Sequence, residues 1–212
     1  MLKRYIAALL LVLLSWTVNA QEIDRTDPYK MMKQVAEQAF NRLKAEQPKI
    51  HEDPEYLKVI IEEELMPYVN DQYAALKLLG PNLKGAKRED VGEFVAAFRA
   101  YLVTNYAQVL TQYTNQEIEF DPEPQLEDDR RISSIKLDIV DAPRPNIKLE
   151  FKLRKEKSGD WKAFDMIAEG ISLLSSKQSE WNGKIRQDGI LAVAKELQSL
   201  AQQPIRFESK TQ

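Results

Sequence analysis

Two strict alternations in the second half of the chain carry the clearest structural signal. Ile135, Leu137 and Ile139 alternate with Lys136 and Asp138. Ile147, Leu149, Phe151 and Leu153 alternate with Lys148, Glu150, Lys152 and Arg154. A period of two with one apolar side predicts strands of an antiparallel sheet buried on one face. Asp141-Ala-Pro-Arg-Pro-Asn146 supplies the turn between them, and Lys157-Ser-Gly-Asp160 supplies the next. A further strand is expected over 161–168. A short one is expected over 116–121, where Ile118 and Phe120 alternate with Glu117 and Glu119.

The first half follows a helical period instead. Asp27-Pro28 and Asp53-Pro54 each set an N-cap acceptor before proline at the first helical position. The first helix is expected to run to about Gln47, with Met32, Val35, Ala36, Phe40 and Leu43 on one face. The second carries Leu57, Ile60, Ile61 and Leu65 before Pro67 interrupts it, and a third, through Tyr73, Leu76 and Leu79, stops at Gly80-Pro81. The longest is expected over 88–113, about 39 Å at 1.5 Å per residue. Phe94, Phe98, Leu102, Tyr106, Leu110 and Tyr113 form its apolar and aromatic stripe, flanked by Val95, Tyr101 and Val109. Such a stripe packs into a core or lines a ligand cavity, and one helix can do both. Helices from 171 to about 202 are expected to cover the sheet. The fold class is α+β: an antiparallel sheet of about four strands against several helices. No internal repeat, low-complexity tract or linker divides the chain, so a single domain over 21–212 is expected.

The N-terminus adds an address. Lys3 and Arg4 precede an unbroken apolar run from Ile6 to Leu14, and Val18-Asn19-Ala20 forms a small-residue cleavage site before Gln21. The run is shorter than the roughly 20 residues needed to span a bilayer, so residues 1–20 are read as a cleaved signal peptide. The chain has no Cys, which excludes a lipid-anchored cysteine at the cleavage point and leaves stability to the core without disulfides. The formal net charge is −3, and losing Lys3 and Arg4 makes the mature chain more acidic. That balance argues against nucleic-acid binding.

Candidate chemistry is sparse. Gly170-Ile171-Ser172-Leu173-Leu174 lacks the second glycine of a Gly-x-Ser-x-Gly nucleophile elbow. The one histidine, His51, is expected in a polar loop before the second helix, about 120 positions from Ser172. Ser172 therefore reads as a helix-start residue, and no catalytic residue or metal site is assigned. Asp165 and Glu169 are expected to cap the following helix or to meet an arginine. Glu62-Glu63-Glu64 reads as an exposed acidic face. Lys152, Arg154, Lys155 and Lys157, with Arg130-Arg131, form a basic cluster. It suits a solvated hairpin tip, lipid phosphates or an acidic partner.

Trp161-Lys-Ala-Phe-Asp-Met-Ile-Ala-Glu-Gly-Ile-Ser172 is the most distinctive stretch. It resembles the MlaC, or toluene-tolerance, family of periplasmic phospholipid-binding proteins, in which a strand with Trp and Asp enters a Glu-Gly-(Val/Ile)-Ser helix start. Phe40-Asn-Arg-Leu43, Glu64-Leu-Met-Pro-Tyr-Val69, Phe94-x-x-x-Phe98-x-x-Tyr101-Leu102 and Tyr106-x-x-x-Leu110-x-x-Tyr113 are similar to the family's helical landmarks. Ser176-Lys-Gln-Ser-Glu-Trp181 departs from the Asn-Tyr-Arg pattern of many members.

The resemblance implies a periplasmic carrier holding phospholipid as cargo, with its tails in an apolar pocket between sheet and helices and no cofactor. It implies exchange between an outer-membrane lipoprotein–porin complex and an inner-membrane ABC-type lipid transporter with its periplasmic substrate-binding component. Retrograde movement would maintain outer-membrane lipid asymmetry. A monomer is expected, since a shuttle must keep its mouth free. In such a pocket the inward sheet rows, Ile135, Leu137, Ile139, Leu149 and Phe151, are expected to meet lipid. Leu102, Tyr106 and Val109 of the long helix lie opposite, with Leu79, Met166, Ile171 and Leu174. Two other readings stand beside the carrier: a periplasmic adaptor that binds membrane complexes without lipid, and a small periplasmic hydrolase.

Overall fold

The alternating stretches form the strands they predict. In the computed structural model, which describes residues 23–126 and 129–207, β1 (Glu117–Phe120), β2 (Ile132–Val140), β3 (Ile147–Lys155), β4 (Trp161–Ala168) and β5 (Ile171–Ser172) pair antiparallel in sequence order. The expected signal peptide, 1–20, lies outside the described residues. The sheet has five strands where about four were expected. The fifth is two residues long, too short for periodicity to disclose. Glu169 and Gly170, both at positive φ, fold β4 back onto it. The Lys148 N–H donates to the Glu169 carboxylate at 2.6 Å, and the Glu169 N–H donates to the Lys148 carbonyl at 3.0 Å. This turn is thereby fixed to β3.

Register arranges the apolar side of the sheet in rows. Ile139 lies opposite Ile147. Leu137 lies in line with Leu149, Ala168 and Ile171, and Ile135 with Phe151 and Met166. Ser133, Leu153 and Ala163 follow, beyond an irregularity at Lys152/Leu153. Directly opposed residues share a face at about 5 Å between Cβ atoms, so these rows form one continuous apolar surface. Lys136, Lys148, Glu150 and Lys152 occupy the other side.

The described residues also form seven α-helices: α1 (Pro28–Ala45), α2 (Gln47–Glu52), α3 (Tyr56–Ile60), α4 (Asp71–Leu79), α5 (Arg88–Leu110), α6 (Leu173–Asp188) and α7 (Ile190–Ala201). Asp27 caps α1 as expected, accepting from the Tyr29 and Lys30 N–H groups at 3.0 Å. The expected second helix proves more broken. His51 lies in α2 rather than in a loop, its ring stacked on Phe207 at 5.0 Å. The chain then leaves α3 through a π turn, Ile61–Leu65, and a 3-10 turn, Met66–Tyr68. A π turn holds one more residue than an α turn, which lets Ile60, Ile61 and Glu64 all point inward. Glu64 is therefore not part of an exposed acidic face. It is 8% exposed, and it accepts from Arg42 at 2.6 Å and Gln38 at 2.7 Å. Glu62 and Glu63 do face solvent.

Three cores result. Met31, Met32 and Val35 of α1 pack on Ile135, Leu153 and Trp161 of the sheet. The end of α1 meets α2, α3 and α5 through Leu43, Ile50, Leu57, Ile60, Val103 and Ala107. Helices α4 to α7 share a third core around Leu78, Leu79, Phe94, Phe98 and Trp181.

Candidate functional site: a half-open apolar cleft

The α5 stripe divides along its length. Phe94, Phe98 and Tyr101 are buried among α4, α6 and α7, which is core packing. Leu102, Tyr106, Leu110 and Tyr113 continue the same face but stay partly accessible. Extensive contacts of α5 are with α7, α4 and α3, and none of that extent is with a strand. Leu102 packs on the core of α4 to α7, and Tyr106, Leu110 and Tyr113 pack on the core of α1, α2, α3 and α5, each keeping some accessible surface.

The sheet shows the matching gradient. Leu153, Trp161, Ile135 and Leu137 are buried. Phe151, Met166, Leu149, Ala168 and Ile139 are half-buried, and Ile147 and Ile171 are exposed. Exposure grows toward the end where β2 turns into β3 and β4 into β5. The chain from α5 enters the sheet at the same end, where Glu117 pairs with Val140 and the Gln116 amide donates to Asp141 at 3.1 Å. Phe40 of α1 meets Tyr113 edge to face at 5.2 Å, joining α1 to that end of α5. The half-buried apolar rows at this end of the sheet, with Phe40, Leu110 and Tyr113 nearby, make the candidate lipid-contact surface.

The expected lipid-contact residues fall into three groups. Leu79 (0% exposed), Ile135 (1%) and Leu137 are enclosed by protein and form closed core. Ile139, Leu149, Phe151, Met166, Leu102, Tyr106 and Leu174 are half-buried. Val109 (56%) and Ile171 (61%) stand on the outer surface at the open end. Half-buried Ala168, Leu110, Tyr113 and Phe40 and exposed Ile147 lie near these residues and were not among the expected ones. Ile147 extended the strand alternation, and Leu110 and Tyr113 extended the helical stripe, so their signal was present. Phe40 was read on the apolar face of the first helix, and only Ala168 had no comparable marker.

Polar groups at the strand-to-helix junction fix one wall. Ser172 caps α6, its hydroxyl accepting from the Ser175 N–H at 3.0 Å and donating to Asp165 at 2.7 Å. The other Asp165 oxygen accepts from the Leu174 N–H at 3.1 Å. Asp165 thus caps the helix as expected, and the Ser172 hydroxyl is engaged in structure. Tyr106 approaches this junction from α5. Burial first, then the Asp165 carboxylate and Tyr101, push its phenol up to about 12, so the hydroxyl keeps its proton.

Within the basic cluster, Lys157, Arg130 and Arg131 are exposed, while Lys152, Arg154 and Lys155 are half-buried and engaged. Lys152 donates to Ser134 and pairs with Glu150. The Arg154 guanidinium lies 4.2 Å from the Tyr73 ring centroid, and the Lys155 ammonium 5.9 Å from that of Trp161. These pairings follow from the strand placing long side chains beside aromatic rings of α4 and β4. A separate open hollow of about 580 Å³ is lined by Ile23, Asp24, Arg25, Thr26 and Asp160. Its walls are mostly polar, and it contains none of the residues expected to meet lipid.

Fold and site together define an α+β protein whose helices enclose most, but not all, of one apolar sheet face. The MlaC protein family model matches residues 33–199. A relative from Haemophilus influenzae, named intermembrane phospholipid transport system binding protein MlaC, is 38% identical over 97% of each chain. The chain belongs to the MlaC family. A solved structure, the phospholipid-binding protein from Ralstonia solanacearum in complex with a phospholipid, superposes with a TM-score of 0.73. It covers 82% of this chain and 97% of its own, at 15% identity, and so shares the fold.

Proposed function

We propose that this protein carries phospholipid between membranes, binding it as cargo without a cofactor and without altering it. The observation that carries the reading is the set of half-buried apolar residues on one sheet face, Ile139, Leu149, Phe151 and Met166, which the helices leave partly accessible. Membership of the MlaC family, with a phospholipid transport relative at 38% identity, supports the same conclusion.

Physical chemistry sets what such a carrier must do. A two-tailed phospholipid has about 30 methylenes, each worth about 0.8 kcal/mol on burial. Bare transfer through water would expose tails at a cost on the order of 20 kcal/mol. A cleft that nearly matches the membrane interior removes that barrier and needs no covalent step. The half-open rows suit this role because their apolar surface can be covered by acyl chains. The finer reading is a mature periplasmic domain over 21–212, released by cleavage after Ala20 and acting as a monomer. It exchanges lipid with an outer-membrane lipoprotein–porin complex and an inner-membrane ABC-type transporter, in the retrograde direction.

Native mass spectrometry of mature protein purified without added lipid tests the carrier. Intact two-chain phospholipid should accompany it, and Leu149→Arg should lose that lipid while keeping its far-UV circular dichroism. A protein that is lipid-free and takes no phospholipid from vesicles refutes the proposal. Release of lysolipid or free fatty acid on incubation would show an enzyme instead.

A further inference from the structure

The side of the sheet away from the apolar rows carries a cluster of cations and rings. Arg154 lies directly opposite Ile132 on β2 and Lys162 on β4, so the three share a face. The Arg154 guanidinium lies 4.2 Å from the Tyr73 ring centroid. Lys77, one turn further along α4, brings its ammonium to 5.7 Å from that centroid and 5.9 Å from that of Phe164. Tyr73 and Phe164 meet edge to face at 5.0 Å. Ile132 is 45% exposed, Lys77 is exposed, and Arg154, Lys162, Tyr73 and Phe164 are half-buried. Three strands and a helix thus present three cations around paired rings, with an exposed isoleucine beside them.

The charges in this cluster are unbalanced. Among the described residues, Lys77, Arg154 and Lys162 form no ion pair, whereas Lys152, two residues before Arg154 on the same side of β3, pairs with Glu150. Like charges directly opposite on neighbouring strands repel, so an anion placed between Arg154 and Lys162 is stabilised by both. A carboxylate matches the planar fork of Arg154. The rings and Ile132 add apolar contacts of the kind that anchor protein interfaces around Tyr and Arg. We propose that this face docks an acidic segment of a partner protein. A bilayer fits the surface less well. The chain's net charge of −3 opposes spreading on an anionic membrane. The patch also lies about 23 Å along β3 from Ile147, on the side opposite the open rows. Docking here leaves those rows free, so partner binding and lipid contact use separate surfaces.

The test measures binding of a fluorescent poly-glutamate peptide to the mature protein by anisotropy at low salt, with sedimentation on phosphatidylglycerol vesicles in parallel. Wild type should bind the peptide, and Arg154→Gln combined with Lys162→Gln should weaken binding about three- to tenfold, the scale of two exposed ion pairs. Lys33→Gln combined with Lys49→Gln removes the same charge from lysines that lie over Tyr29 and Tyr56 and should leave the affinity unchanged. Lys77→Gln combined with Lys162→Gln should reproduce the loss without touching the Arg154–Tyr73 contact, so a folding defect in the first pair does not decide the outcome. Absence of peptide binding by wild type overturns the assignment, as does equal weakening by the control pair. Vesicle binding that the Arg154 and Lys162 substitutions abolish overturns the protein partner in favour of an anionic membrane. Lipid retention is read in none of these arms, so the carrier reading stands or falls separately.

Discussion

The two ends of the same sheet face obey the same sequence pattern and end in opposite environments. At one end, Ile135, Leu153 and Trp161 are sealed beneath Met31 and Val35 of α1. At the other, Leu149, Ile139 and Ala168 keep accessible surface and Ile147 and Ile171 are exposed. Alternation decides which face a residue joins, but not whether another element covers it. Coverage depends on where α1 crosses the sheet and on α5 packing against other helices. The closed end holds the fold together, and the open end leaves apolar area for a ligand. A protein that must bind and release lipid needs both, since a fully flexible wall would collapse on itself when empty.

Truncation at matched positions should break that symmetry most strongly. Leu153→Ala opens a cavity in sealed core and should lower unfolding free energy by about 2–5 kcal/mol in urea titrations. Leu149→Ala, one row beyond Phe151 on the same strand, should cost less than about 1 kcal/mol in lipid-free protein because its side chain is already partly solvated. Its effect should appear instead as weaker lipid retention. Equal stability losses at the two positions would contradict the division of the face.

The next largest effect concerns what holds α1 in place. Glu64 and Arg42 tie α1 to the π turn, with Gln38 on the second oxygen. Arg42 also pairs with Glu46 and Glu63 at 3.0 and 2.7 Å, so its charge does not become unpaired when Glu64 is lost. Glu64→Ala should therefore cost about 2–3 kcal/mol, the scale of hydrogen bonds to a charged group, rather than the larger penalty of an isolated buried charge. Glu63→Ala should cost well under 1 kcal/mol, because that carboxylate is exposed. Chemical denaturation of both variants separates the buried contact from the surface one.

Much of this architecture was legible in the chain. The alternations fixed β2 and β3 and their shared face, and Asp27-Pro28 marked the start of α1. Asp165 and Ser172 were correctly read as junction residues because a Gly after a strand and a Ser before an apolar run have few other local uses. What escaped reading depends on partners distant in sequence. Glu64 lies in an acidic triplet that resembles a solvated face, and only the π turn and Arg42, 22 positions away, bury it. Leu79 and Ile135 look no different from Leu102 and Leu149 in periodicity, but α6 and α1 respectively cover them. His51 looked like a loop residue because Asp53-Pro54 is a strong helix start, and the six-residue helix before it carries no apolar stripe of its own. The candidate cleft was thus legible as a set of faces, and its depth was not.

The smallest effect tests the closed end through its pH dependence. Burial alone pushes the Asp27 carboxyl up, but hydrogen bonds from the Lys30 and Tyr29 N–H groups and the nearby Lys30 ammonium outweigh it and hold it below its ordinary value. A carboxyl with a lowered folded-state pKa binds its proton less readily when folded than when unfolded. Its stabilising contribution is thus present above the unfolded value, near 3.8, and is lost as pH falls through the lower folded value. Asp27→Ala should cost about 1 kcal/mol near neutral pH, the usual worth of an N-cap. The stability gap to wild type should stay constant down to about pH 4 and narrow below it. Because the first turn of α1 leads directly into Met31 and Met32, this loss should accompany faster hydrogen exchange beneath α1. The open rows at Leu149 and Ile139 should exchange as in wild type. Faster exchange at both ends alike would mean that the cap governs the whole face, and the closed and open ends would no longer be separate units.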